Sequence, residues 1–168
     1  MVPSAFLVVA MMIAFQAPRL VHSQNLSNVV KIASGSAGFT NLQNSSRLTG
    51  VSSGGDVNLD GIRDVAIGAQ GINTIFILFM SSSGTAAKSF STISTSTPEF
   101  TSTNIWGFGV SVSLGGDINC DGVVDVAAGA FASDDGGSGR GAAFIIFLNQ
   151  TGNVKSFVRI SQGNGGFT

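Results

Sequence analysis

The chain repeats itself, and that repeat restricts its fold more than any other feature. Ile32, Ile93 and Ile160 each stand seven residues before a Phe-Thr pair, at Phe39, Phe100 and Phe167. Asp56 and Asp117 follow the first two of those isoleucines by twenty-four residues. VAIGA at Val65–Ala69 returns as VAAGA at Val126–Ala130, and FILFM at Phe76–Met80 returns as FIIFL at Phe144–Leu148. Lys88-Ser89-Phe90 returns as Lys155-Ser156-Phe157. The period is 61 residues at first and 67 later, the longer interval holding an extra loop, SDDGGSGRG, at Ser133–Gly141. So many matches in one order identify a tandem structural unit.

Each unit reads as four short strands. In the second they are Gly109–Gly115, Asp125–Gly129, Ala142–Leu148 and Ser156–Ser161. Val110, Val112 and Leu114 alternate with small or polar residues, as a half-buried strand requires. AAFIIFL is apolar on both faces, which suits a strand covered by a sheet on either side. Gly-rich stretches mark the boundaries. Lys, Arg and Glu are too sparse to clothe a helical bundle, since charged residues make up only 10% of the chain.

A four-stranded unit of this length in tandem predicts an all-β fold of β-propeller blades. The expected organisation is a signal peptide over 1–23, an N-terminal strand and connector over 24–46, a first blade over 47–95, and a second blade with the start of a third over 96–168. Asn28–Ser34 matches the last strand of a unit, so it is expected as an extra outer strand ahead of two complete blades. Closed propellers use about four to eight blades. The expectation is therefore an incomplete propeller, its remaining blades supplied by a longer chain or by copies of this one.

The chemistry is concentrated in D-V-N-L-D-G-I-R-D at Asp56–Asp64 and D-I-N-C-D-G-V-V-D at Asp117–Asp125. Six of the nine acidic residues fall in these two windows, the others being Glu99, Asp134 and Asp135. Like charges repel at short range, so such clustering calls for a cation. Oxygen-bearing side chains fill positions 1, 3, 5 and 9, namely Asp56, Asn58, Asp60 and Asp64, then Asp117, Asn119, Asp121 and Asp125. Gly61 and Gly122 at position 6 permit a sharp turn, and the carbonyls of Ile62 and Val123 complete the set at position 7. Ca2+ takes six to eight hard oxygen ligands in irregular geometry, so two calcium sites are expected. An EF-hand would need a bidentate Glu at position 12 and flanking helices. Position 12 holds Ile67 in one loop and Ala128 in the other, both inside strand-like segments, and the EF-hand reading fails. Metal-free Asp/Asn/Gly turns are the plainer alternative, but two copies filled at every ligand position argue against it.

A loop of this kind, set between a strand ending in Gly-Gly and one reading VAxGA, resembles the FG-GAP repeat of integrin α subunits. The likeness runs from about Asn28 to the end of the chain. Phe108-Gly109 stands where that family has its FG, and Gly129-Ala130-Phe131 where it has GAP. The first unit departs, with Leu48-Thr49-Gly50 in the FG region and Gly68-Ala69-Gln70 in the other. The resemblance implies calcium loops in the hairpins between the first two strands of each blade, with the ligand positions named above. It also implies a role in cell adhesion or extracellular recognition of an unidentified protein or matrix ligand, with calcium as a structural cofactor.

The N-terminus is consistent with secretion. Ala5–Phe15 is an unbroken apolar run of signal-peptide length, and Val21-His22-Ser23 offers a cleavage site before Gln24. An uncleaved anchor is the alternative; cleavage leaves no membrane span. Three N-x-S/T triplets, at Asn25, Asn44 and Asn149, fit the same compartment. Cys120 is the sole cysteine, so no internal disulfide forms; it is either buried or a stray thiol. The net charge of −1 leaves no basic footprint for nucleic acid.

Signal cleavage would also remove His22, the only histidine, and with it any His-based catalysis. No zinc constellation is present. The chain is therefore read as non-enzymatic. The competing readings are a non-catalytic propeller part of a larger, phospholipase-like secreted hydrolase, and a truncated fragment without independent function. Trp106 and the rings of Phe76, Phe79, Phe144 and Phe147 are expected to pack between strands. Asp134-Asp135 with Arg140 are expected to form a solvated turn.

Overall fold

The structure is a computed structural model and describes residues 31–33, 35, 42–43, 45–97, 100, 105–134 and 136–166. The fold is all-β. Strands β1 (Leu48–Ser53), β2 (Val65–Ala69), β3 (Thr74–Met80) and β4 (Ala87–Ser94) form one antiparallel sheet in sequence order. β5 (Phe108–Gly116), β6 (Asp125–Ala130), β7 (Ala142–Leu148) and β8 (Val154–Ile160) form a second sheet of the same order. Strand bounds in the second unit agree with the sequence reading to within two residues, and the long loops follow β1 and β5 as expected.

The two sheets share two irregularities, and β5 has one more, between Leu114 and Gly116. Both first strands shift register near their start, between Leu48 and Val51 and between Phe108 and Ser111. Both third strands shift at their end, at Phe79/Met80 and at Phe147/Leu148. Register also sets the equivalences used below: Ile75 pairs with Ile93 and Ile77 with Ser91, as Ala143 pairs with Ile160 and Ile145 with Val158.

The core lies between the sheets. Successive β3 residues point to opposite faces. Ile75, Ile77 and Phe79 meet Phe108, Leu114, Val126, Phe144 and Ile146 of the second sheet. Phe76, Leu78 and Met80 form a separate cluster with Val65 and Ile67, against which Ile32 and Leu42 pack. That is why TIFILFM carries no polar residue after its first: both its faces are covered, and each large side chain so buried stabilises the fold by about 1.5–3 kcal/mol. Phe100 stacks on Phe157 at 4.6 Å and meets Phe108 edge-on at 5.5 Å, fastening the connector between the sheets into the second one.

Polar groups stitch the same interface. The Ser52 hydroxyl accepts from Leu114 N at 2.9 Å, and Phe108 N donates to Asn73 Oδ1 at 3.1 Å. The hydroxyls of Thr49 and Ser91 donate to the carbonyls of Gly109 and Gly152 at 3.2 and 2.9 Å.

Phe76, Phe79 and Phe144 are buried as expected, whereas Phe147 is only half-buried. Trp106 departs from its expectation: it is 59% exposed. The chain turns through Gly107 at φ 71° immediately after it, and the Phe131 ring covers Gly107 in its stead. Cys120 is an exposed thiol. Asp134 shapes its loop by accepting from Gly139 N at 2.9 Å; its neighbour Asp135 lies outside the described residues.

The expected signal peptide over 1–23, Asn25, Asn44, Glu99 and Phe167-Thr168 also lie outside the described residues, as does most of the expected strand Asn28–Ser34; Lys31–Ala33 are described and form no strand. Among the described residues no helix is long and apolar enough to cross a membrane.

Candidate metal centres

Each loop leaves the first strand of its sheet and returns as the second, so the two centres occupy the same place in the two sheets. Position 6 is glycine in a left-handed conformation in both, Gly61 at φ 81° and Gly122 at φ 87°. A side chain at such φ is strained, which is why the tight turn takes glycine. Position 4 is also left-handed, at Leu59 with φ 58° and Cys120 with φ 59°.

The hydrogen bonds correspond one for one. At position 1, Asp56 accepts from the backbone N–H of Asp60 at 3.1 Å and of Gly61 at 2.7 Å. Asp117 accepts from Asp121 and Gly122 at 3.0 and 2.8 Å. At position 3, Asn58 Oδ1 accepts from Asp60 N and Asn119 Oδ1 from Asp121 N, both at 3.1 Å. At position 5, Asp60 Oδ1 accepts from Ile62 N at 2.9 Å and Asp121 Oδ1 from Val123 N at 3.0 Å. Such side-chain-to-backbone bonds coil the loop around its own oxygens.

Position 9 differs in character from the rest. Asp64 and Asp125 are buried, 0% and 1% exposed. Asp64 accepts from Val57 N at 2.9 Å and, through its other oxygen, from Met80 N at 3.1 Å. Asp125 accepts from Ile118 N at 2.9 Å and from Leu148 N at 3.2 Å. One carboxylate thus ties the start of each loop to the end of the third strand. Burial pushes the Asp64 carboxyl above its ordinary value; the two N–H donors oppose this, while the charges of Asp56 and Asp60 add to it.

Two lysines complete the centres, and the sequence reading placed them only as part of the repeat. Lys88 Nζ on β4 lies 3.1 Å from Asp60 Oδ2, and Lys155 Nζ on β8 lies 2.6 Å from Asp121 Oδ2. The hydrogen bond from Lys88 holds the Asp60 carboxyl below the usual carboxylate range, and Lys155 does the same for Asp121. The signal that would have found them is recurrence: Lys-Ser-Phe returns in a chain with only eight basic residues, each time at the start of the fourth strand of its unit.

The acid-side signs of these groups are opposed. Asp60 and Asp121, lowered, contribute stability above their unfolded value, and that contribution is lost as pH falls through their folded values. Asp64, raised, acts in reverse: its contribution is fully present below the unfolded value and is lost as pH rises through the folded one. Both pairs with lysine are solvent-exposed, so screening keeps their worth small.

Among the described residues no three His, Cys, Asp or Glu side chains converge as a metal-holding group. The three carboxylates of each loop are turned onto backbone N–H groups and, at position 5, onto an ammonium. The donor set nevertheless fits a hard divalent cation, because the side chains at positions 1, 3, 5 and 9 supply oxygen ligands, and position 7 adds a carbonyl. The lysine ammonium is a cation already paired with one member of that set, the position-5 carboxylate. Comparison with protein-family models and with curated proteins finds no match for this chain.

Proposed function

We propose that the chain is a secreted, calcium-binding module of two FG-GAP-type β-propeller blades. It acts in cell adhesion or extracellular protein recognition, with calcium as a structural cofactor. The observation that carries this reading is the duplicated loop. Two nine-residue segments 61 residues apart make the same hydrogen bonds, atom for atom, with oxygen side chains at positions 1, 3, 5 and 9. An ordinary turn does not require that much identity.

Asp56, Asn58, Asp60, Ile62 and Asp64 would hold one ion, and Asp117, Asn119, Asp121, Val123 and Asp125 the other. Calcium would neutralise the three carboxylates of each loop and stiffen one end of each sheet. Asp64 and Asp125 already link loop to strand, so the ion's stabilisation would pass into the core. Secretion is supported by the apolar N-terminal run and by the position of Asn149, which opens a turn in which its side chain accepts from Thr151 N and Asn153 N at 2.9 and 3.1 Å.

A calorimetric calcium titration of the secreted chain tests the reading, beside a variant carrying Asp60→Ala and Asp121→Ala. Two binding events are expected in the parent, in the roughly 0.1–1 mM range of extracellular calcium modules, and none in the variant. A folded parent that takes up no calcium refutes it.

Lys88→Met and Lys155→Met are expected to raise calcium affinity several-fold. Each removes a positive charge from beside the place of a divalent ion. The same titration at about 0.01 M and about 0.1 M salt checks this, because the gain must shrink as the Debye length shortens.

A further inference from the structure

Asn149-Gln150-Thr151 is an N-x-T triplet, and of the three such triplets in the sequence it is the one whose asparagine lies among the described residues. It opens the turn between β7 and β8, at the end of the second sheet that also carries the Asp117–Asp125 loop. Gln150, Thr151 and Asn153 are exposed and Asn149 is half-buried, whereas Gly152 is buried. The Ser91 hydroxyl of the first sheet donates to the Gly152 carbonyl at 2.9 Å, and a Cβ on Gly152 would overlap Ser91 Oγ and crowd the Phe79 ring. The turn is thus fixed in place through one residue, with the triplet left within reach of solvent.

The asparagine amide is held one way round. Its Oδ1 accepts from the backbone N–H groups of Thr151 and Asn153 at 2.9 and 3.1 Å, and from the Thr151 hydroxyl at 2.7 Å. Backbone N–H groups can bond only to the amide's oxygen, which fixes the orientation of the amide. Nδ2, across the amide carbon from these donors, makes no hydrogen bond among the described residues. The backbone itself does not require asparagine here. In the first sheet Ser81 N donates to Ala86 O and Gly84 N to Ser81 O, both at 2.8 Å. Asn149 N donates to Asn153 O and Gly152 N to Asn149 O in the same pattern, at 3.0 and 2.8 Å. The two turns share their closing bonds, and only the second carries an acceptor triplet.

We propose that Asn149 Nδ2 is the attachment point of an N-linked oligosaccharide. The group is transferred from a lipid-linked oligosaccharide pyrophosphate. The bond between the sugar C1 and the phosphate oxygen breaks, and its electron pair leaves with the lipid pyrophosphate. Nδ2 forms the new bond to C1 and gives up one of its two protons to a base of the transferase, so no oxidant or reductant is needed. The sugar adds a bulky, solubilising group to the end of a strand whose Ile145 and Phe147 are only half-buried. The proposal rests on the secretory part of the reading above and not on calcium.

The full chain with its own N-terminus is expressed in a eukaryotic secretory cell line, and the tryptic peptide Gly141–Lys155 from medium and cells is weighed. This peptide holds Asn149 and neither of the other two triplets. A heavy, heterogeneous glycopeptide is expected. Treatment with an amidase that releases N-linked sugar should collapse it to one mass, with aspartate at the attachment position. Thr151→Ser is expected to keep the modification. Thr151→Val, which leaves both backbone bonds to Asn149 in place, is expected to abolish it. An unmodified peptide from the secreted parent overturns the proposal, as does modification that survives Thr151→Val. A parent that never enters the secretory route refutes the secretory reading by itself. The proposal is then decided by exchanging residues 1–23 for the signal sequence of a known secreted protein: a modified peptide upholds it, and an unmodified one overturns it.

Discussion

Asp64→Ala and Asp125→Ala are each expected to destabilise the metal-free chain by about 2–6 kcal/mol. Each carboxylate is buried and accepts two backbone N–H groups, Val57 and Met80 in one case, Ile118 and Leu148 in the other. Alanine supplies no acceptor, and an unsatisfied buried donor costs about 1–3 kcal/mol. Asn keeps one acceptor oxygen, so Asp→Asn should fall between parent and alanine. Asp60→Ala is the control: its exposed carboxylate bonds within its own loop and to an exposed lysine, and its loss without metal should stay within about 1 kcal/mol. Urea denaturation in chelator measures the three against the parent. Equal loss at positions 5 and 9 would show that the ninth residue does not bridge loop and strand. If the proposed calcium sites hold, the ordering is expected to change in calcium, because every ligand position would then contribute through the ion as well.

That ordering shows what was legible in the sequence and what was not. The period, the four strands of each unit and the place of both loops could be read directly, because alternation of Val110, Val112 and Leu114 and the recurrence of VAIGA are local patterns. The ten loop positions proposed as ligands were named for the same reason, since spacing within a nine-residue loop needs no tertiary information. The partners of each oxygen were not. Lys88 reaches Asp60 across 28 residues and Lys155 reaches Asp121 across 34, and only strand order brings them together. Nor does composition tell Asp64 from Asp56, although one is buried and the other is not. Exposure of Trp106 depends on the turn at Gly107, which no apolar pattern reports. The clearest limit is Ile145 and Phe147 against Ile77 and Phe79. The residues are the same, and their burial differs only because a second sheet covers one pair, so no reading of the unit alone could separate them.

Gly68→Ala is expected to be the most damaging single substitution between the sheets, and Gly129→Ala, at the same place in the repeat, one of the mildest. A Cβ on Gly68 would coincide with the Gly109 carbonyl oxygen, a backbone atom fixed by its bond from Thr49. Relief requires the sheets to part. Overpacking usually costs about 1–3 kcal/mol, more where nothing can move, and separation would also uncover Ile75, Ile77 and Phe79, at about 1.5–3 kcal/mol each. A loss of more than about 3 kcal/mol is therefore expected in urea denaturation, with exposed apolar surface detectable by dye binding. A Cβ on Gly129 meets the Ser111 hydroxyl at 2.6 Å, the end of a side chain that can rotate away, and no facing backbone. Its cost in the isolated chain should stay below about 1 kcal/mol. If both substitutions prove equally harmful, glycine is required at this position by its own sheet. If they diverge as expected, the requirement at Gly68 comes from the sheet that packs against it and not from the strand that carries it.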